Sequence, residues 1–334
     1  MILAKKATIY DVASLAGVSI TTVSRVLNSP GQVADTSRKK IVAAMQELDF
    51  VPKAEASARA RKDFKRIGIL SPFSTAPSFV QRIRSIAGAL SITDYELITY
   101  SVASEDQLSG YLSMLPVSNR IDGLIILALP VKEEEIRLFK EYDLPVVMIE
   151  ISHPSVSSIE IDNIAGGRLA AEYLISKGYK SFGFIGEGGQ PAYSLHATEE
   201  RFNGYKEALS ENGFNLPDSS VSFHKYGMNF SVDGVKKILS ESVKPDAFFA
   251  ASDLQAVGVI KAARELELKV PEDVAVIGFD DIDLADYMGI TTINQSLDQS
   301  GQTAVELLVA HMKDHDTAVK HISYQLKIIE RYSA

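Results

Sequence analysis

The sequence predicts a small all-α head joined to a larger α/β body of two doubly wound parallel-sheet units. Three observations carry this. Two short helical patterns with a glycine between them occupy Thr8 to Leu27, basic residues gather ahead of Arg66, and beyond Arg66 short apolar runs alternate with amphipathic helical ones. At 334 residues and 46% apolar content, the chain is long enough for two or three domains.

Thr8 is placed to cap a first helix in which Val12, Ala13, Leu15 and Ala16 recur at helical spacing and which stops at Gly17. Ser19 caps a second, Ile20 to Leu27. Val23, Val26 and Leu27 form its apolar face, while Ile20, Thr21, Ser24 and Arg25 look outward. Two short helices joined by a tight Gly-containing turn are a helix-turn-helix. A third helix, Asp35 to Leu48, closes the core with Ile41, Val42, Met45 and Leu48 and starts with the basic run Arg38, Lys39 and Lys40.

Charge divides the chain in the same place. Residues 1–66 hold 12 lysines and arginines against 6 acidic residues, a net of +6, and the remainder carries −15. A basic head on an acidic body suits a polyanion bound at one end. There is no cysteine, no run long enough for a membrane span, and no apolar leader in Met1 to Lys6. A cytoplasmic protein without a membrane partner is expected.

Thr8-Ile-Tyr-Asp-Val-Ala, Ala-Gly-Val-Ser at 16 to 19 and Thr22-Val-Ser-Arg-Val-Leu-Asn28 resemble the signature of the lactose and galactose repressor family, and the resemblance extends over essentially the whole chain. It implies an N-terminal helix-turn-helix domain (1–51), a hinge (52–65) that becomes helical on DNA, and a periplasmic-binding-protein-like body (66–334) that binds an effector and dimerises. By position it puts Ile20, Thr21 and Arg25 on base edges, with Thr8, Tyr10, Ser19, Thr22, Ser24 and Asn28 near phosphates. The chemistry agrees: arginine pairs bidentately with guanine, threonine offers a hydroxyl and a methyl, and Ile20 offers an apolar contact. Small hydroxyl and amide groups position a head without reading sequence.

The hinge departs from the pattern. Where the resemblance implies a leucine wedged into the minor groove, seven residues after Pro52, this chain has Arg59. An arginine reads a narrow minor groove instead of kinking a base step. Arg59, Arg61 and Lys62 could equally contact phosphate or solvent.

In the body, Ile67–Leu70, Glu96–Tyr100, Gly123–Leu127 and Val146–Ile149 read as strands, with helices such as Phe79–Leu90 and Lys132–Tyr142 between them. A second set holds the helix Asn163–Lys177 and the strands Phe182–Ile185, Ala247–Ala250 and Val274–Gly278. Two such units imply a cleft between them. The resemblance adds three chain crossings, near 162, 291 and 320. These give an N-subdomain of about 66–161 and 292–320, with Thr291–Asn294 and the helix Gly301–Lys313 returning to it, and a C-subdomain of about 162–291 and 321–334.

It also implies the effector residues: Arg201 and its acidic partner Asp280, with Glu150, Ser252, Asp253 and Gln295 at other cleft positions. Phe230 would cover the ligand and Phe79 would line the opposite wall. Asp253 fits a helix cap better than a ligand contact, and Asp162 has the same explanation. Asp280, Asp281 and Asp283 supply no defined ligand set for a cation, so a solvated loop is expected.

No catalytic constellation can be assembled. His311 and His315 have the spacing of a zinc pair, but Met312 stands between them and no third ligand is evident, so an exposed helix face is expected. Gly186-Glu-Gly-Gly189 lacks the third glycine of a dinucleotide loop. The expectation is a regulator, most simply a repressor, with no cofactor or metal. It would bind a palindromic operator as a homodimer, under control of a small molecule such as a sugar. The competing reading is a sugar-binding protein of a transport system, which would need a leader and no basic head.

Overall fold

The computed structural model describes residues 7–28, 33–48, 50, 65–118, 120–225, 232–241 and 244–334. In the head, α1 (Ile9–Ala16), α2 (Ile20–Asn28) and α3 (Asp35–Glu47) match the three predicted segments closely. The backbone N and hydroxyl of Thr8 both donate to Asp11 Oδ2, at 2.7 and 2.6 Å, which fixes the entry to α1. Gly17, at φ 65°, takes the left-handed turn that ends it. Ser19 Oγ accepts from Thr22 N at 3.1 Å and starts α2. Val12, Val23, Val26 and Ile41 are fully buried between the three helices.

The body begins with β1 (Arg66–Ser71), α4 (Pro77–Leu90), β2 (Glu96–Ser101), α5 (Glu105–Ser118), β3 (Gly123–Leu127), α6 (Glu133–Glu141), β4 (Val146–Ile149) and β5 (Ser157–Glu160). It continues through α7 (Asn163–Ser176), β6 (Phe182–Gly188), α8 (Ala197–Glu211), β7 (Val221–Lys225), α9 (Val232–Leu239), β8 (Ala247–Ala250), α10 (Asp253–Glu265), β9 (Ala275–Asp280), α11 (Asp283–Met288) and β10 (Thr291–Asn294). Last come α12 (Leu297–Lys313), β11 (His321–Ser323) and β12 (Lys327–Ile329). The strands form two sheets, ordered β11-β5-β4-β3-β1-β2 and β12-β10-β9-β8-β6-β7. Every pairing is parallel except that of β12 with β10. β3, β4, β8 and β9 are buried along their whole length, as central strands covered by helices on both faces must be.

Two crossings fall elsewhere than expected. Thr291–Asn294 does not return to the first subdomain: β10 pairs with β9, Thr292 opposite Gly278, and with β12. Its polar groups are satisfied there, since Thr292 Oγ1 donates to Asp253 Oδ1 at 2.5 Å and Thr291 N to Ser333 Oγ at 2.9 Å. The chain leaves only at Gln295 and Ser296, where φ of 57° at Ser296 breaks the strand. Likewise β11 pairs with β5, so the last crossing lies between Ser323 and Lys327 and not near 320. The first crossing lies between β5 and α7, at 161–162.

The head is seated on the first subdomain. Met114 and Val117 of α5, together with Tyr142, join the apolar core of the head. Arg38, only 2% exposed, donates to Asp35 at 2.7 Å within α3, and across the seam to Ser109 Oγ at 3.2 Å and the Asp106 carbonyl at 3.5 Å. Among the described residues, no helix is long and apolar enough to cross a membrane.

Candidate nucleic-acid interface and ligand cleft

The apolar stripe of α2 is consumed by the head core, so its other face points away from the protein. Ile20, Thr21 and Arg25 are exposed there, beside exposed Ser19 and half-buried Thr22 and Ser24. Tyr10 is 67% exposed on α1, and Thr8 is half-buried at its start. A large isoleucine held 41% exposed at the first position of a helix gains nothing for folding, and fits a surface that a partner covers. The side chain of Asn28, the hinge residues 52–64 with Arg59, Arg61 and Lys62, and Phe230 all lie outside the described residues. Arg38 belongs to the seam with α5 and not to the outward basic surface that the run Arg38-Lys-Lys suggests.

The second site is the cleft between the two sheets, a cavity of about 310 Å³ at the carboxyl ends of the strands. Phe73 and Phe79 meet edge to face, 5.6 Å apart, on the first-subdomain wall. Glu150, Arg201, Ser252, Asp280 and Gln295 also line the cavity. The backbone is strained here, since Ala128 (φ 49°), Glu150 (φ 68°) and Asp280 (φ 111°) are all non-glycine residues at positive φ on the lining. Such strain persists only where the surroundings enforce it, and it gathers at binding sites.

A buried polar chain runs across the cleft. Arg82, fully buried on α4, donates to Glu150 Oε1 at 2.6 Å, to Ser300 Oγ at 3.0 Å and to Gln295 Oε1 at 3.4 Å. Gln295 Nε2 donates in turn to Asp280 Oδ1 at 2.5 Å, and Arg201 Nη1 lies 3.5 Å from that oxygen. Arg201 also donates to Asn163 Oδ1 at 2.9 Å and to the Ala251 carbonyl at 2.7 Å, with its guanidinium 3.6 Å over the Phe279 ring. Burial lowers the pKa of Arg201 and raises that of Asp280, and in each case the ion-pair partner pulls the other way.

Glycines create the space for this geometry. A Cβ at Gly167 would stand 1.9 Å from the Arg201 carbonyl, and one at Gly204 would stand 2.0 Å from that of Ile164. α7 and α8 therefore touch backbone to backbone, which brings Arg201 within reach of Asn163.

Asp253 neither lines the cavity nor caps α10. Ser252 takes the cap, accepting from Gln255 N at 3.3 Å, while the Asp253 carboxylate is fully buried against Ile282 N (2.9 Å) and Thr292 Oγ1. Gly278 leaves room for it, since a Cβ there would lie 2.3 Å from Asp253 Oδ1. Burial first, and then Asp280, push the Asp253 carboxyl well above the usual carboxylate range. Asp162 caps α7, accepting from Ala165 N at 2.8 Å. The segment 280–283 is only partly the solvated loop expected: Asp280 is buried at the end of β9 and Asp281 is largely covered in its pair with Arg331 at 2.8 Å, whereas Asp283 is exposed, in an exposed pair with Arg84 at 2.6 Å. Of the two histidines expected on an exposed helix face, His311 is half-buried, its Nε2 lying 2.8 Å from Ser157 Oγ, whereas His315 is exposed, two residues beyond the end of α12 and 2.9 Å from Asp143.

A larger hollow of about 500 Å³ lies between α6 and α12, lined by Phe139, Leu144, Val156 and the two histidines. Asp143, at φ 55°, is on its lining, but the hollow lacks the convergent buried charges of the cleft, which is the better ligand site.

Sequence reasoning missed Arg82, the centre of the polar chain. The signal was present, because Arg82 shares the inward stripe of α4 with Phe79 and Ile86, and an arginine on such a stripe must be paired.

The family model described as "Bacterial regulatory proteins, lacI family" matches residues 8–53, and that of a "Periplasmic binding protein-like domain" matches residues 171–334. The ribose operon repressor of Escherichia coli (strain K12) is 31% identical over 333 residues, covering 98% of this chain and 100% of that protein. Among solved structures, the complex of the transcriptional regulator CelR with cellobiose matches with a TM-score of 0.67 at 27% identity, over 98% of this chain and 100% of that one. The lac repressor dimer bound to operator and the anti-inducer ONPF matches with a TM-score of 0.66 at 25% identity, over 98% and 99% of the two chains.

Proposed function

Because this chain belongs to the lacI family of bacterial regulatory proteins, we propose that it is a cytoplasmic transcriptional repressor that binds a palindromic operator as a homodimer and changes its DNA affinity when a sugar or similar small molecule enters the cleft. The observation that carries the reading is the pairing of an outward α2 face with a cleft whose polar chain, Glu150 to Arg82 to Gln295 to Asp280, spans both subdomains. A ligand that contacts Glu150 on one wall and Asp280 or Arg201 on the other favours one angle between the subdomains. It alters operator affinity only through that differential preference.

On the head, Arg25, Thr21 and Ile20 are the base-reading set, and Tyr10, Ser19 and Thr22 the positioning set. Arg59 of the hinge addresses the operator centre. Two heads related by a two-fold axis read half-sites about one helical turn apart. The transport reading is not favoured, since residues 8–53 match a regulatory DNA-binding family. Selection of bound sequences from a randomised DNA library tests the proposal. Enrichment of a palindrome supports it. Salt-sensitive binding without enrichment, with and without candidate sugars, overturns it.

A further inference from the structure

The cleft has a second polar wall that none of the family-matched positions accounts for. Glu187 is the next-to-last residue of β6, Gln190 lies two residues beyond the end of that strand, and Gln255 stands in the first turn of α10; all three line the same cavity. Gln255 is 4% exposed, and its Oε1 is buried with no partner among the described residues. The same holds for Gln190 Oε1, while its Nε2 reaches Thr198 Oγ1 at 3.4 Å. Glu187 pairs with no cation among the described residues, and burial raises the pKa of its carboxyl. A buried acceptor without a donor is costly, so a ligand that supplies the donor gains what the empty wall lacks.

The cations of the cleft are already engaged. Arg82 is fully buried with three partners, and Arg201 is held by Asn163, the Ala251 carbonyl and Asp280. No lysine or histidine is among the described residues that line the cavity. A phosphate or carboxylate placed against Glu187 would meet a carboxyl beside two unpaired amide oxygens, and the cation that lines the cavity among the described residues, Arg201, already has Asp280 beside it.

We propose that Glu187, Gln190 and Gln255 form an acceptor-lined subsite that takes the hydroxyl-bearing end of an uncharged polyol, and that this wall rejects phosphorylated and acidic sugars. The proposal rests on reading the cleft as the effector site. Acceptors aimed at a substrate hydroxyl discriminate far more strongly than an apolar wall can, because an analogue without the donor leaves them unpaired.

The test is calorimetry on the full chain with ribose, glucose and cellobiose, each beside a charged counterpart: ribose 5-phosphate, glucose 6-phosphate and cellobionate. At least one neutral sugar is expected to bind, more tightly than its counterpart by about 100-fold or more. Gln255→Met should weaken that sugar by about 10-fold, and Glu187→Gln should narrow the gap between neutral and charged ligands. A melting temperature measured without ligand identifies a variant that has simply misfolded, and the conservative Glu187→Gln then decides. Tighter binding of a charged member, binding by no neutral member, or a neutral-to-charged ratio unmoved by Glu187→Gln overturns the subsite. Operator selection by the same preparation reports separately on the regulator reading, which survives a failure of the subsite.

Discussion

Arg25 and Asp253 show how burial sorts charged side chains into different work. Arg25 is exposed on the outward face of α2, where its guanidinium keeps its water and counterions, and the base-reading role proposed for it needs a guanine edge to replace them. Arg25→Ala should cost about 1 to 3 kcal/mol of specific operator binding and relax preference at one base pair of each half-site, measured by titration of single-base operator variants. Asp253 is sealed from water, and its raised pKa means that the folded protein holds the proton more tightly than the unfolded chain does. Its contribution to stability is therefore full below the pKa of an unfolded carboxyl and is lost as pH climbs through the folded value. Asp253→Asn can keep both contacts, its oxygen accepting from Ile282 N while its amide donates to Thr292. The melting temperature of the native protein should fall, relative to the variant, as pH rises from about 5 to about 9. A parallel pH profile for the two would show that Asp253 is ionised throughout.

At the scale of elements, α7 and α8 make the most consequential contact, because their backbones meet at Gly167 and Gly204. Gly167→Ala forces the helices apart, and should lower stability by about 1 to 3 kcal/mol or more. It should also displace Arg201 from Asn163, so denaturant melts and effector titrations should both suffer; a stable variant with normal effector affinity would show that the helices part without moving Arg201. Neither glycine was legible as a packing device, since a glycine inside a helical pattern reads as a weak helix former until its neighbour across the interface is known. Strands such as Gly123–Leu127, Val146–Ile149 and Ala247–Ala250 were legible because buried parallel strands must be continuously apolar. β5, β11 and β12 were not. Ser157–Glu160 and His321–Ser323 are short and polar, and each is a strand because of the neighbour it pairs with. The head was readable almost residue by residue, its caps and stripe being local. Of the cleft, Arg201, Asp280, Glu150, Ser252 and Gln295 could be named from motif position, but Arg82 and the true place of Asp253 depend on burial that only the assembled fold supplies.

Over the whole molecule, the subdomains are coupled by polar groups that span the cleft. Arg82 holds Glu150 on one side and reaches Gln295 on the other, so Arg82→Met leaves a buried carboxylate unpaired and should cost roughly 3 kcal/mol or more of stability. Changing Glu150→Leu as well should recover much of that loss. If the polar chain transmits effector binding, the double variant should still hold operator, but with nearly equal affinity in the absence of effector and at effector concentrations that calorimetry shows to saturate the variant. An undiminished effector ratio in the double variant would assign transmission to other contacts, such as Arg84 with Asp283.

The seat of the head on α5 has a consequence for ion release. Lys and Arg side chains weaken binding in salt only if they neutralise phosphates, each adding a slope of about −0.9 to the dependence of log K on log salt. Arg38 is spent on Asp35, Ser109 and the Asp106 carbonyl, so it should release no counterion when DNA arrives. The +6 charge of residues 1–66 therefore overstates the phosphate contacts that each head makes. Arg38→Met should loosen the seat and lower affinity at every salt concentration, yet leave the salt slope of operator binding where it was. A slope reduced by nearly one for each head would mean that Arg38 leaves its seat to meet the backbone.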